Sequence, residues 1–77
     1  MEFTKIKRDI NGNPRYVTHF SNVPINGDGL SISEKYNLAV KKANKIGGSK
    51  YHSKSFVGGI VFQSFNISNL EKEINEL

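Results

Sequence analysis

A chain of 77 residues and 8.6 kDa has length for one domain, and at this size only about 60% of the unfolded surface is removed from water on folding, so a large enclosed active site is not expected. The absence of Cys excludes disulfides, a thiol nucleophile and thiolate metal sites, which leaves packing to stabilise the fold. Eleven basic residues against seven acidic ones give a net charge of +4, which favours an anionic partner without naming it.

The first segment, Met1 to Arg8, is interrupted by charges at Glu2, Lys5, Lys7 and Arg8 and lacks the apolar core of a signal peptide, so a cytoplasmic location is expected. Residues 3 to 10 and 14 to 20 read as two strands around Asn11-Gly12, a dipeptide that supplies both positive-φ positions of a two-residue hairpin turn. Counting outward from that turn pairs Arg8 with Arg15, Lys7 with Tyr16, Ile6 with Val17 and Lys5 with Thr18. Alternation then puts Thr4, Ile6, Arg8, Arg15, Val17 and His19 on one face and Phe3, Lys5, Lys7, Tyr16, Thr18 and Phe20 on the other. Both sets mix apolar and basic groups, so periodicity does not choose the buried one. Residues 21 to 30 (SNVPINGDGL) carry turn chemistry throughout and are expected to form a flexible loop.

Helix one is punctuated at both ends. Ser31 and Glu34 match a capping box, Tyr36, Ala39, Val40, Ala43 and Ile46 form an apolar stripe, and Gly47-Gly48 supplies the stop. A second hairpin is expected from residues 50 to 56 and 60 to 65, joined through Gly58-Gly59, with its apolar second strand central in the sheet. The last helix is expected to begin with a capping box at Ser68 and Glu71 and to carry Ile67, Leu70, Ile74 and Leu77 at three-four spacing. The order ββαββα with short connections predicts a single α+β domain over residues 1–77. The expected architecture is a two-layer sandwich, a four-stranded antiparallel sheet with two helices on one face and an open second face. The longest apolar stretch, residues 56–62, is far below the ~20 residues that span a bilayer.

Charge is divided by position. Residues 1–54 hold ten basic and four acidic residues, net +6, and residues 55–77 hold one basic and three acidic, net −2. A nucleic-acid-binding surface is therefore sought among Lys5, Lys7, Arg8 and Arg15 on the first hairpin and Lys41, Lys42, Lys45, Lys50 and Lys54 around helix one, with Tyr16 as a base-stacking candidate. The plainer account of each is a solvated lysine-rich face and a core aromatic. Leu38, among the lysines, is a candidate protein-binding anchor.

No catalytic constellation is present in the sequence, and no cofactor is implied. His19 and His52 lack an evident third ligand beyond Asp9 or Asp28, so no metal site is assigned. The Asn26-Gly27-Asp28-Gly29 run lacks the downstream Glu of a calcium loop.

The run Lys7-Arg8-Asp9-Ile10-Asn11-Gly12-Asn13-Pro14-Arg15-Tyr16-Val17-Thr18-His19-Phe20, with residues 43–51 (ANKIGGSKY) and 58–65 (GGIVFQSF), resembles short uncharacterised proteins carried by phages and other mobile elements. The similarity spans most of the chain outside residues 21–30 and transfers no site residue. It implies a small stand-alone protein that binds DNA, RNA or a host protein rather than an enzyme. Nucleic-acid binding is the leading expectation and an inhibitor or adaptor of a host defence or nucleic-acid-handling protein the alternative. A homodimer formed through an edge strand or the last helix is a third.

Overall fold

The computed structural model describes residues 2–63 and 66–77. Four strands, β1 (Thr4–Ile6), β2 (Arg15–His19), β3 (Gly48–Tyr51) and β4 (Gly59–Gln63), form one antiparallel sheet in the order β1-β2-β4-β3. Two helices, α1 (Ile32–Ala43) and α2 (Ile67–Asn75), pack on one face of it, as the hydrophobic patterning requires. Since β2 and β3 both run antiparallel to β4, they are parallel to each other and are linked by α1 as a crossover.

The central position of β4 follows from its composition. Ile60 and Phe62 are buried beneath the helices, where they join Val23, Ala39, Val40, Ala43, Leu70 and Ile74 in one core. Val61 points to the second face, and there it and Val17 are only 3% and 1% exposed. That face is thus not bare. Residues 52–58 fold across part of it, and Phe56 lies where a side chain at Gly59 would stand: a Cβ there would come 2.5 Å from the Phe56 ring and 2.8 Å from Val17. The expected turn at Gly58-Gly59 is replaced by this longer connection, because Gly59 serves as a flat strand residue that makes room for Phe56. Ser64 and Phe65, expected to finish the strand, lie outside the described residues.

The first hairpin also differs from a two-residue turn. Thr4 pairs with Val17, Lys5 with Tyr16 and Ile6 with Arg15, a shift of two residues. The cause is Asp9, whose carboxylate accepts from the backbone amides of Asn11 at 2.9 Å and Asn13 at 2.8 Å. The Asp9 carbonyl also accepts from the Gly12 amide at 3.0 Å, with Gly12 at φ 82°. Such a side-chain-closed turn competes with ladder pairing. A shift of two preserves the faces, so the Phe3, Lys5, Tyr16, Thr18 face is the one under the helices.

Helix α1 has the expected capping box. Ser31 Oγ accepts from the Glu34 amide, Glu34 accepts from Ser31 in return, and Gly47 ends the segment at φ 88° after a 3-10 turn. Helix α2 starts two residues earlier than the Ser68-Glu71 pattern suggests. Asn66 is its N-cap and accepts from the Ser68 amide at 2.9 Å. The 21–30 segment opens in a 3-10 turn at Phe20–Asn22 and sinks Val23 into the core.

Candidate functional site

The ten nucleic-acid candidates fall into distinct places. Lys5 lies on β1 and Lys50 on β3, opposite edge strands of the sheet that are about 14 Å apart at ordinary strand spacing. Gly48 is level with Phe62, Tyr16 and Lys5, so the hairpin loop 7–14 and the residues just before Gly48 lie at the same end of the sheet. That end holds exposed Lys7 and Arg8 on the loop, half-buried Arg15 at the start of β2, and exposed Lys41 and Lys45 at the close of α1. Lys54 belongs to the 52–58 connection, beyond the other end of β3.

Arg8 and Arg15 do not face one another. Arg8 donates to the Gly12 carbonyl at 2.8 Å, which fixes it on the turn. Arg15 pairs with Ile6 and Gln63, and its Nε is shut from water with no hydrogen-bond partner. The Asn13 backbone amide above all, and after it the Asn13 side chain, the Asn11 amide and the Arg15 charge, lower the Asp9 carboxyl pKa against partial desolvation.

Tyr16, the base-stacking candidate, is neither fully exposed nor fully buried. It packs half-buried against the helix-side core, because the hairpin register puts its face under the helices. Lys42 is committed elsewhere: its ammonium donates to the Pro24 carbonyl at 2.7 Å and to the Leu77 carbonyl at 3.4 Å, tying the loop and the last residue to α1. Leu38 is half-buried rather than fully exposed. His19 and His52 make different contacts: His19 Nδ1 pairs with Ser21 Oγ at 2.7 Å, and the His52 ring lies 6.2 Å from that of Tyr36.

The opposite end carries a feature that no sequence motif announced. Phe20, Ile32, Tyr36, Val57 and Gly58, with Ser33 and His52, line an apolar groove of about 440 Å³. Ile32 and Val57 flank it with 75% and 72% of their surface in water. Ile32 was legible only as the residue following a cap and Val57 only as part of a glycine turn, so neither stood out.

The model of the family described as Staphylococcus phage terminal repeat-encoded protein TreK matches residues 1–77, the whole of the chain. The chain belongs to the TreK family. Membership makes this a phage protein, in agreement with the resemblance of its hairpin and glycine motifs. No curated protein and no solved structure gives a significant match. Among the described residues no helix is long and apolar enough to cross a membrane.

Proposed function

We propose that this TreK-family protein acts by binding rather than by catalysis, and that it binds nucleic acid through the basic end of the sheet. The observation that supports this reading is the collection of exposed Lys7, Arg8, Lys41 and Lys45 at one end, with Arg15 behind them. Cations on a hairpin loop and a helix terminus suit a phosphate backbone, which they contact without reading base edges. Lys50 and Lys54 stand away from that end and Lys42 is engaged within the fold, so the working footprint is smaller than the charge count. The proposed setting is the cytoplasm of the infected cell.

Anisotropy of a labelled single-stranded oligonucleotide, titrated at several salt concentrations, tests the reading. Binding that weakens steeply with salt is expected. No binding at low salt, or binding without a salt slope, overturns it. A host protein that is retained from lysate after nuclease treatment while oligonucleotides fail to bind would shift the function to an inhibitor or adaptor.

A further inference from the structure

We propose that the second face of the sheet carries a pocket for one unpaired base of a single strand whose phosphates lie on the basic end. This site rests on the nucleic-acid reading and names the form of nucleic acid that is bound.

The pocket has about 310 Å³ and lies where the 52–58 connection folds across the sheet. Val17 forms its floor, and Ile6 closes it on the side of the hairpin loop. The half-buried Tyr51 and Phe56 rings wall it on the side of the connection. A base is a flat ring system with uncharged polar edges, and its faces gain from aromatic contact whatever its identity. Thr4, Ser53 and Ser55 bring hydroxyls, which donate or accept and so suit any base edge. Among the described residues no charged side chain lines the pocket. An acidic or basic side chain of a protein partner would find no counter-charge there, and an aliphatic one would take the hydroxyls out of water unpaired.

Position ties the pocket to the basic end. Ile6 is followed in the chain by exposed Lys7 and Arg8 and is paired with Arg15. Arg15 lies two residues from Val17 on the same face of β2, about 7 Å at the rise of a strand, a step that one extended nucleotide covers. Of the nearby carboxylates, Asp9 is engaged by the Asn11 and Asn13 amides, and Glu2 precedes β1 at the end away from the loop. A base within a duplex is paired and stacked and offers no free face, so the pocket selects single strands.

The test uses the full-length protein and two ligands of equal length and phosphate number, a short single-stranded oligonucleotide and its abasic counterpart, titrated at several salt concentrations. The single strand is expected to bind at least about fivefold tighter, the lower end of what stacking one base contributes, with the same salt slope for both. In amide NMR spectra of the parent protein, the single strand and not the abasic ligand is expected to shift Thr4, Ser53 and Ser55. Tyr51→Leu and Phe56→Leu are expected to remove the preference while abasic binding, which reports that they are folded, is kept. Equal affinity for both ligands with a salt slope would overturn the pocket and leave the basic end standing. Absence of binding by either ligand at low salt would overturn both. A preference accompanied by shifts at Tyr36 and Val57 in place of those three amides would also overturn the pocket, by putting the base in the apolar groove at the other end.

Discussion

At the tip of the first hairpin the Asn13 amide, opposed by partial desolvation and helped by the Asn13 side chain, the Asn11 amide and Arg15, lowers the Asp9 pKa from its ordinary 3.8. The folded value lies below the unfolded one, so the contribution of this turn is complete above the unfolded pKa and is lost as pH falls through the folded value. In an NMR titration the Asn11 and Asn13 amides should therefore move together with a midpoint below 3.8; a midpoint at or above it would mean the turn is not closed by this carboxylate. Gly48 is a second residue with a sharp consequence. A Cβ there would stand 2.8 Å from the Phe62 ring and 3.0 Å from both Ala43 Cβ and Ile60 Cγ2. Gly48→Ala should cost about 1–3 kcal/mol by overpacking, read from urea midpoints. The Gly47-Gly48 pair was legible as a helix stop. That the second glycine is required by its closeness to Phe62 was not, because this depends on the strand register.

Among the elements, the two helices differ in how openly they announce their ends. The Ser31/Glu34 box was legible because Ser33, the other cap residue nearby, has Tyr36 rather than a carboxylate three positions on. At α2 the string Asn66-Ile67-Ser68 offers two caps, and both leave Leu70 and Ile74 facing the core. Asn66→Ala should lose about 1 kcal/mol, whereas Ser68→Ala should change stability by less than about 0.5 kcal/mol. A reversal of that order in chemical denaturation would restore the later start. Element faces in the first hairpin were legible up to a choice between two sets, and the shift of two residues left them intact. The turn itself was not, since the Asn-Gly signal was overridden by the Asp9 carboxylate two residues before Asn11. Lys42, half-buried near the end of α1, fastens Pro24 and Leu77. Lys42→Gln is expected to lower stability by about 1 kcal/mol, a charge-assisted bond discounted for its exposure, and to leave the salt dependence of oligonucleotide binding unchanged.

Across the whole molecule the fold separates two surfaces that the linear charge count had merged. The +6 of residues 1–54 was legible as composition, but its division between the loop end of the sheet, the outer strands and an internal tie depends on the order β1-β2-β4-β3. The apolar groove at the other end is assembled from residues as far apart in the chain as Phe20 and Gly58, which periodicity within any one element does not reveal.

The most direct test compares the salt dependence of single-stranded oligonucleotide binding for the parent protein and for two triple variants. With Lys7, Arg8 and Lys45 changed to Gln, the slope of log affinity against log salt should become shallower by about 2, at ~0.7 for each lost phosphate contact. With Lys42, Lys50 and Lys54 changed to Gln, it should stay close to that of the parent. Equal slopes for the two variants, or no binding by the parent protein at low salt, would contradict nucleic-acid binding at the basic end of the sheet.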